Sequence, residues 1–217
     1  ANAANPAATL LEGRLLLTRG ENQQALATLD RASRAYNHQN PEALRLLASA
    51  SERLQQWGNT REQLERLLQL TPNSPNPWLA LAEAQLRGQD LEAARESVER
   101  AEALAPENPR LPLLQARIAA AAGDASLALE RLESLDAELQ EAASDLRIEL
   151  YRRTGQMDQA RELALQRFEN DPSDTGRLRL ALQAVQDREG RAALLDRAEE
   201  AGATPAAINL LREQLIE

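Results

Sequence analysis

The chain contains no cysteine and no lysine, and among its 217 residues it has a single histidine and only 2% aromatics. Without cysteine there are no disulfides and no thiolate metal sites, a state compatible with the cytoplasm and with a bacterial periplasm alike. Without lysine there is no phosphate cradle of the glycine-rich, lysine-bearing kind. With His38 alone, no paired-histidine metal site exists and at most one Ser–His–Asp array could. His38 sits in "YNHQNP" and is expected in a loop. The opening "ANAANPAATL" shows neither an initiator Met nor an apolar signal core, and no stretch of eighteen apolar residues follows. The sequence therefore reads as a fragment with no direct membrane insertion of its own, any targeting signal being expected in flanking segments.

Few aromatics mean that a core, if formed, is built from Leu and Ala. Such residues suit closely approaching helices better than sheets, which favour β-branched and aromatic side chains. With 43% hydrophobic residues the chain is long enough to bury a core. The net charge of −9 argues against nonspecific binding to a phosphate backbone, so nucleic acid is not expected as a partner. All 25 basic residues are arginine, a bias that accompanies GC-rich coding and points to a bacterial source.

A period runs through the chain. Pro6, Pro41, Pro75 and Pro109 lie 35, 34 and 34 residues apart, each placed to open a helix, where a missing N–H costs little. Seven residues after each comes a small residue, Gly13, Ala48, Ala82 and Ala116. Nineteen after it come Ala25, Thr60, Ala94 and Ala128, with Ala160 at the matching place in a fifth unit. Small residues at two fixed places per unit are what a pair of antiparallel helices needs at its closest approach. Between the helices lie "TRGEN", "QQWGN", "LRGQD", "AAGDA" and "RTGQM", whose glycines are expected to supply the left-handed conformation that ends a helix.

This pattern, with Trp78 three residues after Pro75, then Leu81, Ala82, Leu91, Ala94, Val98 and the closing Pro106, resembles the tetratricopeptide repeat. The match is imperfect: Gln85 stands where a Tyr is usual, Leu91 and Val98 take other aromatic places, and Trp57, Trp78 and Tyr151 keep the aromatic pattern. The resemblance implies an all-α, right-handed superhelical solenoid of antiparallel helix pairs in a single domain spanning 1–217. Its units are expected at 6–40, 41–74, 75–108, 109–140 and 141–174, followed by a degenerate sixth at 175–202 and a capping helix at 204–217. In the sixth unit Leu182 and Leu194 replace the small residues. The capping helix is expected to use Thr204 as N-cap and to bury a stripe of Ile208, Leu211 and Leu215. At the other end Leu10, Leu11, Leu15, Leu16 and Leu17 clothe the first helix nearly all round with no polar cap before it. That end is expected either to stack on further repeats or to present an apolar surface for self-association.

The resemblance also implies that the first helix of each unit lines a concave groove. Counting one, four, eight, eleven and twelve residues from each unit's start selects nine arginines, Arg14, Arg45, Arg53, Arg87, Arg110, Arg117, Arg152, Arg153 and Arg179. The same count selects six acids, Glu42, Glu52, Glu83, Asp145, Glu149 and Asp187, so the groove is net +3 in a chain of −9. The candidate partner-binding set is Arg14, Arg45, Arg53, Glu83, Arg87, Arg117, Glu149, Arg152 and Arg153, suited to an extended protein segment or polymer with acidic groups. The competing reading is ordinary intrahelical pairing, Glu83 with Arg87 and Glu149 with Arg152 or Arg153, each pair contributing ~0.2–0.5 kcal/mol. Arg14, Ser49, Glu83, Arg117 and Glu149 occupy the place of the key Asn in family members that clamp a terminal carboxylate, so that activity is not expected.

No catalytic residue, cofactor or metal site is expected, and "NDPSDTG" (170–176) lacks calcium-loop spacing. The expected function is a noncatalytic protein-interaction scaffold. In style "LLEGRLLLTRGENQQALATLDRA" is similar to repeat regions of bacterial envelope-assembly and polysaccharide-export proteins. The alternative is a structural spacer or self-association module within a longer protein. The compartment, cytoplasm or periplasm, stays open.

Overall fold

The computed structural model describes residues 5–215, with side chains through residue 214. Two compact units divide the chain, Ala1–Gly123 and Asp124–Glu217, and no strand occurs among the described residues.

The first unit contains α1 (Pro6–Thr18), α2 (Asn22–Ala35), α3 (Pro41–Arg53), α4 (Trp57–Leu70), α5 (Pro75–Arg87), α6 (Leu91–Leu104) and α7 (Arg110–Ala121). Helices α1/α2, α3/α4 and α5/α6 form hairpins, and each second helix packs on the first helix of the next pair. Pro6, Pro41 and Pro75 are the first helical residues. Pro109 stands one residue before α7. The caps are local: Asn40 Oδ1 accepts from the Ala43 N–H and Asp90 Oδ1 from the Ala93 N–H. Asn5 likewise accepts from the Ala7 N–H at 3.0 Å at the start of α1.

Ala48, Ala82 and Ala116 are buried, as are Ala25, Thr60, Ala94, Ala128 and Ala160. Gly13 shows why these places must be small: a Cβ there would lie 2.5 Å from Leu29 Cδ2. Each core cluster of this unit joins one hairpin to the first helix of the next. Leu29 and Ala32 of α2 meet Leu46 and Ala50 of α3, and Leu64, Leu67 and Leu68 of α4 meet Leu81 and Ala84 of α5. Ala94, Val98 and Ala101 of α6 meet Leu111, Leu114 and Ile118 of α7 in the same way. A lone hairpin would leave half of such a cluster in water, so cohesion comes from stacking.

Two turns depart from the expected glycine chemistry. Gly20, Gly123 and Gly155 do take positive φ. In "QQWGN" and "LRGQD", however, Gln55 (φ 56°) and Gln89 (φ 64°) hold the left-handed position. Gly88 is the C-cap of α5, with φ −79°, and Gly58 has become part of α4. Trp57 accordingly opens the second helix of its hairpin. Trp78 packs against two core clusters, and its indole N–H donates to the Pro72 carbonyl at 3.1 Å. Gln85, buried where a Tyr is usual, turns its amide nitrogen to Ser97 Oγ at 2.7 Å and to the Ala93 carbonyl at 3.0 Å.

The second unit contains α8 (Ala125–Glu133), α9 (Ala137–Ala142), α10 (Ser144–Arg153), α11 (Met157–Asn170), α12 (Thr175–Ala184), α13 (Arg188–Glu200) and α14 (Pro205–Leu215). The short α9 is an addition to the expected helix pairs. Asp136 starts it by accepting from the Leu139 N–H at 2.9 Å, which divides the segment between α8 and α10. Leu182 and Leu194 are both buried, in a cluster with Phe168, Leu178, Leu195, Ile208 and Leu211. Bulk at the degenerate positions thus joins the cluster that α14 completes. Ile208 and Leu211 supply the apolar stripe expected of the terminal helix; the side chain of Leu215 lies outside the described residues. The Thr204 carbonyl accepts from the Ala207 and Ile208 N–H groups.

Candidate functional site

The predicted groove residues fall into two groups, one in each unit. Arg14, Arg45, Arg53, Glu83, Arg87 and Arg117 belong to α1, α3, α5 and α7 of the first unit, while Glu149, Arg152 and Arg153 belong to α10 of the second.

In the first unit several of these side chains tie one repeat to the next. Arg14 of α1 pairs with Glu42 of α3. Arg53 Nη1 donates to the Leu17 carbonyl at 2.6 Å, fixing the end of α3 to the end of α1. Arg117 Nη1 donates to both carboxylate oxygens of Glu83 at 3.1 Å, linking α7 to α5. The Glu83 side chain is only 19% exposed, so this pair is shielded on one side, and shielding strengthens it relative to a free surface pair.

The remaining arginines are less committed. Arg45 lies 3.8 Å from Glu42, beyond hydrogen-bonding range, with its side chain 61% exposed. Arg87 Nε reaches Glu83 at 3.3 Å and is 56% exposed, and it shares that carboxylate with Arg117. Arg110, at the start of α7, is exposed. On the counted positions of the first unit, six arginines stand against Glu42, Glu52 and Glu83. Those of the second unit balance: Arg152, Arg153 and Arg179 against Asp145, Glu149 and Asp187. The arginine excess therefore resides wholly in the first unit.

In the second unit Arg153 Nε donates to Glu149 at 2.9 Å within α10, the intrahelical pair anticipated from spacing. Arg152 Nη1 instead donates to Gln183 Oε1 of α12 at 3.3 Å. Position counting missed Arg167 and Arg177. Arg167 pairs with Asp145 and lies 3.7 Å from Glu141, which Arg177 also approaches at 3.6 Å. Together with Asp174, Gly176, Arg179 and Leu180 they line a cleft of about 380 Å³ beside α12. Arg167 and Arg177 lie outside the groove count, whereas Asp145 and Arg179, which also line the cleft, belong to it.

The groups with a conceivable chemical role are occupied structurally. His38 lies in a left-handed turn (φ 58°), its Nδ1 2.9 Å from Ser33 Oγ. Ser33 is fully buried. In "NDPSDTG", Asp171 accepts from Ser173 Oγ at 2.7 Å and Asp174 caps α12 through the Arg177 N–H at 2.9 Å. The Ser173 hydroxyl and main-chain donors hold the Asp171 carboxyl below its ordinary value. Glu169 is held low chiefly by its hydrogen bond to Arg197, and Arg197 is raised in turn. These features make turns and ties between helices. Among the described residues no helix is long and apolar enough to cross a membrane.

Comparison with known proteins agrees with this architecture. No curated protein matches the chain in sequence. A solved tetratricopeptide repeat protein from Parabacteroides merdae ATCC 43184 is 18% identical with a TM-score of 0.77, the match covering 100% of this chain and 86% of that one. In the structure of the APC/C hetero-tetramer Cut9–Hcn1, the matching chain is 14% identical with a TM-score of 0.74, over 98% of this chain and 43% of that one. A thermophilic tetratricopeptide repeat protein of Thermus thermophilus is 25% identical with a TM-score of 0.62, over 83% of this chain and 98% of its own. Two family models described as tetratricopeptide repeat match residues 10–75 and 54–118. With the periodic small residues, the hairpin stack and these matches in agreement, the chain belongs to the tetratricopeptide repeat family.

Proposed function

We propose that this chain binds an extended, acidic segment of a partner protein along the first-helix face of its first unit. The fold is a non-catalytic repeat scaffold of the kind that serves protein–protein interaction, and a relative of the same fold stands in the Cut9–Hcn1 hetero-tetramer. The observation that carries the finer reading is the state of the arginines. The buried side of Glu83 is held by Arg117, so the one well-shielded acid of this face is neutralised internally. Arg45, Arg87 and Arg110 then remain as a set of exposed guanidinium groups, each able to meet a carboxylate with two parallel hydrogen bonds. The remainder of the chain is strongly acidic, which repels an acidic ligand elsewhere and favours this face.

The binding is placed in the assembly of a bacterial complex, of the cell envelope in particular. Support for that is the arginine-only basic composition and the Leu, Ala and Arg style of residues 10–32. The test is a salt-dependent pull-down from extract of the source cell, comparing the native chain with the Arg45→Glu, Arg87→Glu, Arg110→Glu variant. A partner retained by the native chain, lost by the variant and released by salt supports the reading. Recovery of the same partners by both forms refutes it.

A further inference from the structure

Ser51 and Gln63 stand 34 residues before Gln85 and Ser97, so two successive repeats carry the same pair of residue types at the same two register places, with the types exchanged. In the later repeat the pair closes on itself, Gln85 and Ser97 meeting at 2.7 Å. In the earlier repeat it does not. Ser51 Oγ donates to the Leu47 carbonyl of its own helix at 3.0 Å. Gln63, only 8% exposed, has no hydrogen bond from its side chain among the described residues, and its Oε1 is buried without a donor. A buried carboxamide in that state is rare, because its water is lost and nothing replaces it.

Gln63 lies in the wall of a cleft of about 450 Å³ between α2 and α4, with the buried Leu47 and Ser51 of α3 as its floor. The charged residues of the cleft come in two closed pairs. Arg34 Nη2 lies 2.7 Å from Asp30 Oδ2 on α2, and Arg66 Nη2 lies 2.7 Å from Glu62 Oε1 on α4. Each acid and each arginine is thus neutralised on its own helix, and the cleft favours neither a cation nor an anion. His38 adds a directed donor. Its Nδ1 is the only side-chain partner of the buried Ser33 hydroxyl among the described residues. That hydroxyl proton is satisfied when Nδ1 accepts it, which puts the ring proton on Nε2 at the opposite edge.

We propose that this cleft binds a primary carboxamide. The Gln63 amide pairs with a second carboxamide through two parallel hydrogen bonds, its Oε1 accepting and its Nε2 donating. His38 Nε2 supplies a further donor, and Leu26 and Leu47 receive the aliphatic stem of the ligand. No hydrogen bond holds the Gln63 amide in place, so turning it about the Cγ–Cδ bond to present Oε1 to the cleft breaks none. Two sources share this chemistry, a free carboxamide amino acid and the Asn or Gln side chain of a protein. No residue of the cleft belongs to the groove set, so the proposal does not rest on the groove reading.

The experiment is saturation-transfer NMR on the 217-residue chain with two probes, L-glutamine for the free amino acid and N-acetyl-L-glutamine methylamide for a protein side chain. L-methionine, of like length without the amide, and L-glutamate, without its donor, are the controls. At least one carboxamide should bind, with a dissociation constant on the order of 1 mM for so small a ligand. The controls should bind at least about tenfold more weakly, because they leave the buried amide unpaired. Tighter binding of the free amino acid identifies a metabolite site, and equal or tighter binding of the capped form identifies a protein side chain. Gln63→Leu removes an unpaired polar group from the interior, so it should keep the helical circular dichroism signal and the melting temperature while losing the ligand. Gln63→Glu keeps the length but loses the donor and should also weaken binding. The groove variant Arg45→Glu, Arg87→Glu, Arg110→Glu should bind as the native chain does, which separates failure here from failure there. A native chain that binds neither carboxamide, that binds methionine, glutamate or D-glucose equally well, or whose binding survives Gln63→Leu overturns the proposal.

Discussion

Arg117 in α7 reaches back one full repeat to Glu83 in α5 and holds both oxygens of its carboxylate at 3.1 Å. The two residues occupy the same register place in consecutive units, 34 residues apart. One contact therefore locks the first-helix faces of neighbouring repeats together and also removes a negative charge from the proposed binding face.

The first prediction concerns that lock. Arg117→Leu and Glu83→Gln should each lower stability, and a double-mutant cycle from urea unfolding should give a coupling energy of about 0.5–1 kcal/mol, the upper end for partly exposed pairs. Arg117 is thus a poor choice for a binding test, since its loss alters the scaffold. Arg87→Glu should cost less stability than Arg117→Glu, because Arg87 shares a carboxylate already held.

Gly13→Val tests the closest helix approach. A Cβ at this position already meets Leu29 Cγ at 2.6 Å and Cδ2 at 2.5 Å, and Leu29 is fully buried. Separation of α1 from α2 should cost ~1–3 kcal/mol, read as a lower urea midpoint. A similar substitution at Gly58, where an added Cβ meets nothing within 4 Å, should leave the midpoint nearly unchanged or raise it.

Ser97 and Gln85 form a polar contact inside the Leu and Ala core. Ser97→Ala should destabilise by ~1–3 kcal/mol because the buried Gln85 amide loses a partner. Adding Gln85→Leu should recover much of that loss, whereas a purely steric role for Ser97 would leave the two changes additive. Thermal melts of the three variants distinguish these outcomes.

Much of this architecture could be read from the chain itself. The proline period and the small residues seven and nineteen places later locate the hairpins, because close helix packing admits few residue types. The left-handed turns at Gln55 and Gln89 could not be read, since local propensity assigns that conformation to the glycine of each turn. Helix α9 was hidden for a similar reason: one Asp cap, Asp136, suffices to restart a helix. Of the candidate site, the charges were visible but their commitments were not. The Glu83–Arg117 tie carried a signal in its 34-residue spacing and opposite charge, whereas the Arg53 bond to the Leu17 carbonyl has a main-chain acceptor that no residue type announces.

Acid should loosen the tie between α11 and α13. Arg197 grips Glu169 with two guanidinium nitrogens and lies 5.5 Å from the Phe168 ring centre. The folded Glu169 carboxyl sits below the ordinary 4.5, so its contribution is present above that value and is lost as pH falls through the lower folded value. The melting-temperature difference between the native chain and Glu169→Gln should hold at neutral pH and shrink below pH 4.5. A difference independent of pH would show that the carboxylate is not the stabilising group.

The most direct test of the central claim is a fluorescence-anisotropy titration of labelled Asp- and Glu-rich peptides with the native chain and with the Arg45→Glu, Arg87→Glu, Arg110→Glu variant, at low and moderate salt. The account predicts saturable binding by the native chain that weakens with salt and falls at least about tenfold in the variant, at equal helical content and melting temperature. Equal affinity of the two forms, or binding indifferent to salt, would contradict it.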